Sequence, residues 1–170
     1  MSNLPIQIVD QDDKPVGGAT KQVAWRAGLL HRIVRISILD ENGNMLIQQR
    51  SDQKELFPGR WDNSAAGHVD EGETYDHAAQ RELGEELGLH DMPLELLGNY
   101  YVEVEDDWRI MKRFTRSYKL VLTKPLPEFR LPAEEVAATS WMKIDDIHQL
   151  ITNHPEQVTD GLTQVIERYF

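Results

Sequence analysis

The chain has 170 residues, 40% of them hydrophobic and 28% charged, a composition that fits one soluble globular domain and excludes a disordered chain. Its 18 Lys and Arg against 29 Asp and Glu give a net charge of −11, which argues against a broad nucleic-acid-binding face. There is no cysteine, so disulfides, thiol catalysis and Cys-ligated zinc are excluded, and with no apolar run of membrane-spanning length and no secretory leader the expected compartment is the cytoplasm.

In chain order, IQIVDQDDKPVGGA reads as a short hairpin, with Asp12 and Asp13 at its turn. KQVAWRAG predicts a brief helix ended by Gly28, completing an N-terminal unit over residues 1–30. RIVRISILDENGNMLIQQR holds two β-rich runs around Asn42 and Gly43, a strong signal for a tight hairpin. SDQKELFPGRWDNS reads as a loop turning at Pro58 and Gly59. Residues 74–88 change to helical spacing, with Ala79, Leu83 and Leu87 in one apolar stripe and Gly88 as the stop. LELLGNYYVEVEDDWRIMKRFTRSYKLVL predicts two or three antiparallel strands with Asp106 and Asp107 at a turn. After the proline-bearing loop TKPLPEFRLPAEE, VAATSWMKI reads as a strand, and DDIHQLI and PEQVTDGLTQVIERYF as helices. Strands mixed with one long internal helix and a helical end predict an α+β or mixed-sheet domain spanning 1–170.

The internal helix carries an unusual cost. Glu82, Glu85 and Glu86 fall three and four residues apart, which puts three carboxylates on one narrow face and costs a few tenths of a kcal/mol per like-charged pair. A charge run of this kind usually just faces water. Carboxylates are also the preferred ligands of hard cations such as Mg²⁺ and Mn²⁺, and a cation turns their repulsion into attraction. Such an ion leaves positions for substrate phosphates and activates water for attack on phosphorus.

Register separates the two readings. Gly67, Glu73, Arg81, Glu82, Leu83, Glu85, Glu86, Gly88 and Leu89 fill every defined position of the Nudix box, over 67–89. The chain resembles a Nudix protein from about Val9 to its C-terminal helices. The resemblance implies a mixed β-sheet sandwiched between helices and a metal-dependent diphosphate chemistry. It implies Glu82 and Glu86 as the principal Mg²⁺ or Mn²⁺ ligands, with the Gly67 carbonyl beside them and Glu85 as a ligand or the base. Glu73 and Arg81 are expected to pair structurally, through an Arg–carboxylate fork.

The flanks GLLHR, LIQQRS and FPGRWDNSAAGH are similar to isopentenyl-diphosphate isomerases and their hydrolase-like relatives. In that resemblance His31 and His68 match histidine positions, and Arg50 and Lys54 match basic positions that grip the diphosphate. The isomerase chemistry is missing. Ala66 stands where that pattern has its cysteine, the third histidine position falls near Ala24, and KRFTRSYKLV offers Thr115 and Arg116 where acids are required. Isomerases also carry a degraded box, and this one is whole.

A metal-dependent pyrophosphohydrolase is the expected function, with a non-catalytic diphosphate-sensing module and an isomerase as the alternatives. The expected partner is a small-molecule diphosphate; homodimers are common among similar proteins. For the proton-accepting acid, Glu134 and Glu135 precede a strand at the natural place, Glu135 being preferred, and Glu103 and Glu105 are rivals. His31 reads as a packed histidine, His68 as a candidate substrate contact, and Trp61 as a core anchor that competes with a ring-stacking role.

Overall fold

The computed structural model describes residues 4–106 and 108–170. β1 (Ile6–Val9) and β2 (Pro15–Ala19) form the expected antiparallel hairpin, with Asp13 at positive φ in its turn. In α1 (Lys21–Ala27), Thr20 accepts a hydrogen bond from the Val23 N–H, and Gly28 closes the helix in the left-handed region at φ 62°. No glycine-free end could do this as cheaply.

The runs around Asn42 and Gly43 become β3 (Leu30–Asp40) and β4 (Met45–Arg50), and Gly43 turns the chain at φ 77°. The expected tight hairpin forms, but only next to its turn. Only Ile38 with Leu46 and Leu39 with Met45 are paired. β3 instead runs parallel to β8 (Arg109–Leu122) from Leu30 opposite Lys112 to Asp40 opposite Leu122. Its other edge takes β6 (Ala65–His68), antiparallel from Ile33 opposite His68 to Ile36 opposite Ala65. β4 diverges to join β5 (Trp61–Asp62) and β9 (Val136–Met142). The segment expected to be all loop thus holds β5. A strand buried on both faces is satisfied only inside a sheet, and β3 is such a strand.

β7 (Glu95–Asp106) and β8 are the two strands of the expected antiparallel group; of the expected turn, Asp107 lies outside the described residues. α2 (Tyr75–Leu87) starts at Thr74, which caps the His77 N–H, and stops at Gly88, φ 72°. α3 (Ile144–Asn153) follows β9. The last helix begins later than the sequence reading placed it: Pro155–Gln157 is a 3-10 turn, and α4 (Asp160–Tyr169) starts where Thr159 caps the Leu162 N–H.

Helices cover both faces of this mixed sheet, as expected for the α+β class. Val34, Ile36 and Ile38 pack with Ala79, Leu83 and Leu87 of α2. Met45 and Ile47 pack with Ile147 of α3 and Leu162 and Ile166 of α4. Leu46 lies between those two residues in sequence but belongs to the α2 side, the alternation of a strand shared by two cores.

Candidate active site

The fully buried stripe of Ala79, Leu83 and Leu87 fixes how α2 lies on the sheet. Glu82 and Glu86 sit one position off that stripe and are carried to the sheet's split, 8% and 6% exposed. Glu86 Oε2 accepts from the Gln48 side-chain amide at 2.8 Å and from the Ala66 N–H at 3.1 Å. These donors belong to β4 and β6, the strands that part at β3. Burial, reinforced by the charge of Glu82, pushes the Glu86 carboxyl up to about 8. Burial also pushes Glu82 up to about 7 against the opposing pull of Arg81.

Arg81 organises the remaining acids. Its Nε and Nη2 donate to the two oxygens of Glu73 at 3.1 and 3.0 Å, the expected fork. Nη1 donates to Glu82 at 2.7 Å and to Glu85 at 3.4 Å, while Nη2 also reaches the His68 carbonyl at 2.8 Å. Glu85 is the exposed member of the box, its side chain 39% accessible. With Glu82 and Glu85 turned onto Arg81, no cluster of three His, Asp or Glu side chains among the described residues is gathered for a metal ion.

The residues nevertheless suit a hard divalent cation. The donors are all oxygen, and burial makes the two carboxylates resist ionisation. Gly67 supplies the space: a Cβ there would stand 1.8 Å from Glu82 Oε1, so only glycine lets backbone and carboxylate approach this closely.

A pocket of about 560 Å³ opens from these acids. Arg50 and Lys54 both line it. Arg50 donates from Nε to the Leu56 carbonyl at 2.9 Å and from Nη1 to Asp62 at 3.1 Å. Lys54 is ion-paired with Glu135, which also lines the pocket, as does Glu134. The rivals Glu103 and Glu105 lie on β7, away from the lining; Glu103 accepts from the Tyr101 hydroxyl and pairs with Lys112.

His68 lines the pocket, its ring 5.4 Å from that of His31 and stacked on it. His31 is fully buried, and its Nδ1–H donates to the Leu29 carbonyl at 2.9 Å. Burial holds it neutral, with a pKa of about 4. Trp61 packs in the α3–α4 core, the anchor reading. The aromatic wall of the pocket is Trp25 instead, 5.9 Å from the His68 ring. Arg35 and Arg113 also line the pocket and were missed in the sequence. The signal for Arg35 was a charge inside the apolar run RIVRISIL.

Residues 29–162 match the family model for the NUDIX domain. The chain belongs to the Nudix hydrolase family. It is 33% identical over 168 residues to isopentenyl-diphosphate Delta-isomerase 2 of Photorhabdus laumondii, covering 94% of this chain and 88% of that protein. An uncharacterized Nudix hydrolase of Pseudomonas aeruginosa is 31% identical over 138 residues, 81% of this chain and 78% of that one. The crystal structure of DR0079 from Deinococcus radiodurans superposes with a TM-score of 0.81 over 97% of this chain and 98% of that one; at 22% identity it speaks to fold alone.

Within this Nudix site the isomerase cysteine and acid positions bring no proton-transfer group to the pocket. Ala66 presents a methyl group to the pocket. Thr115 is buried outside the lining, and Arg116 lies over the Tyr75 ring at 4.2 Å. The β8 side chains that reach the pocket are Met111 and Arg113, so this strand brings no acid to it.

Proposed function

We propose that this Nudix enzyme is a Mg²⁺- or Mn²⁺-dependent pyrophosphohydrolase of an organic diphosphate. The observation that carries the reading is the pair of buried carboxylates, Glu82 and Glu86, both pushed toward the protonated form by burial and opening onto a pocket that holds Arg50 and Lys54. Glu82 and Glu86 would hold the cation, with the Gly67 carbonyl beside them and Glu85 joining when Arg81 releases it. The cation supplies charge neutralisation at phosphate and activation of water.

The chain's own groups do the rest. Arg50, fixed by Asp62, and Lys54, fixed by Glu135, orient the phosphates, and His68 borders the substrate. Water attacks one phosphorus, its proton passes to Glu135 or Glu85, the P–O–P bond breaks and a phosphate monoester leaves. Ala66 offers no proton donor for an isomerase.

The test is phosphate release from a panel of nucleoside, sugar-linked and prenyl diphosphates with Mg²⁺ or Mn²⁺, for wild type and Glu86→Gln. We expect metal-dependent release that falls at least about a hundredfold in the variant, the several kcal/mol a cation contributes, and weaker calorimetric Mn²⁺ binding. Ligand binding without turnover, indifferent to Glu86→Gln, would replace the enzyme with a sensing module.

A further inference from the structure

The pocket has a second charged region that this hydrolytic scheme leaves idle. Strand alternation locates it. Val34 and Gly67 are paired on the α2 side, Val34 in that core and Gly67 under Glu82. The next pair, Arg35 and Ala66, therefore faces the opposite side. Arg113 projects on that side too, because β3 and β8 run in parallel register with His31 opposite Arg113 and Arg35 opposite Ser117. Arg35 and Arg113 are 4% and 5% exposed.

Neither guanidinium is matched by the protein. Arg35 pairs with Asp62 at 3.6 Å, beyond hydrogen-bond reach, and Asp62 is shared with Arg50 at 3.1 Å. Arg113 donates from Nη2 to Asp160 at 3.0 Å and from Nη1 only to the weakly accepting Met111 sulfur at 3.7 Å. The Nε atoms of both have no partner among the described residues. Three arginines thus face two carboxylates. Arg35 is also pressed on the first turn of α4, where a Cβ on Gly161 would come within 1.9 Å of its Nη1. The positive end of that helix adds to the excess. Burial, and then Arg35 itself, lowers Arg113 to about 10, the direction expected of a cation short of counter-charge.

We propose that the Arg35–Arg113 wall binds a second anionic group of the substrate, a phosphate or carboxylate separate from the diphosphate that is cleaved. The hydrolytic reading supplies the first anion, held by Arg50 and Lys54 at the acids. The second lies across the sheet from Glu82, within the same pocket of about 560 Å³, a volume that accommodates a two-headed ligand. Prenyl diphosphates, which have one charged head and an apolar tail, are then poor substrates.

Calorimetric titration of metal-stripped protein with inorganic phosphate, and separately with acetate, addresses the wall without turnover. At least one anion binds wild type and Glu86→Gln alike, and binds Arg35→Gln and Arg113→Gln about tenfold or more weakly, the loss expected for a charged hydrogen bond. Kinetics then compare adenosine 5′-diphosphates bearing a 3′-phosphate, a 3′-succinyl carboxylate or a free 3′-hydroxyl. A charged form has the lower KM, the advantage disappears in Arg35→Gln and partly returns in Arg35→Lys, and the preferred form names the second anion. Failure of both anions to bind wild type overturns the proposal with no variant needed, so a poorly folding Arg35→Gln does not shelter it. Equal loss on all three nucleotides in either arginine variant also overturns it, by assigning the wall to the scissile diphosphate. Arginine-dependent anion binding with no turnover of any nucleotide leaves the wall standing and removes the hydrolase.

Discussion

The acid end and the arginine end of the pocket carry opposite charge and are balanced by opposite means. At the acid end one arginine, Arg81, answers Glu73, Glu82 and Glu85, all on one loop and one helix. At the arginine end Asp62 of β5 and Asp160 of α4 reach across from separate elements to Arg35 and Arg113, and Asp62 is shared with Arg50. Each end keeps one group beyond its local supply. Glu86 is held by neutral amide donors, with no ion pair among the described residues, and Arg35 has only a long contact. Burial penalises either sign of charge, which is the common ground for the cation proposed at one end and the anion proposed at the other.

The sharpest way to break this comparison is Gly67→Ala. The new Cβ would displace the Glu82 carboxylate, whose Oε1 it would approach to 1.8 Å. We expect kcat/KM to drop about a hundredfold or more, the scale of a misplaced catalytic group, with little change in melting temperature. Activity within a few-fold of wild type would mean that the acid end is not the reacting end.

Asp62→Asn addresses the arginine end through stability. Burial opposes ionisation of Asp62, but Arg35, Arg50 and hydrogen bonds from Thr159 and the Asn63 N–H outweigh it and lower its pKa. The stabilisation is therefore complete above the ordinary carboxylate pKa and is lost as pH falls through the lowered folded value. Urea titration of the variant at pH 7 should show a deficit of about 3 kcal/mol, as for a buried pair with one partner removed. That deficit should close below about pH 4. An unchanged midpoint at pH 7 would show that the arginines do not need their counter-charge.

The smallest expected effect is that of Glu103→Gln, which should leave kcat within about twofold, since Glu103 lies on β7 among Tyr101 and Lys112. Glu135→Gln is its counterpart and should lower kcat about a hundredfold, the lower end for a lost general base. A reversed ranking would move the proton acceptor to β7.

The two ends also differ in how far they could be read before folding. The acids lie within 67–89, and the helix period alone brings Glu82, Glu85 and Glu86 to one side, so local spacing was enough. Gly28, Gly43 and Gly88 were legible for the same reason, each ending or turning a neighbouring segment. The arginine wall depends on which strand lies beside β3. RIVRISIL and MLIQQR look like hairpin partners around Asn42 and Gly43, but a strand buried on both faces leaves its neighbours to be chosen by tertiary packing. Once β8 is that neighbour, alternation selects Arg113 for the pocket and turns Arg116 onto Tyr75. Trp25 was overlooked because a seven-residue helix gives too little periodicity to say which face it buries.

The parallel match of Leu30–Asp40 with Lys112–Leu122 has a consequence for how the molecule comes into being. The whole box lies inside the chain segment that this match closes. On the ribosome, every acid of the box emerges before β3 can acquire its longest partner. Closing so long a loop sets an entropic toll ahead of the contacts that reward it and favours slow, late assembly. A nascent chain halted before Arg109 would therefore carry all the box carboxylates on a helix whose supporting sheet is still missing its centre.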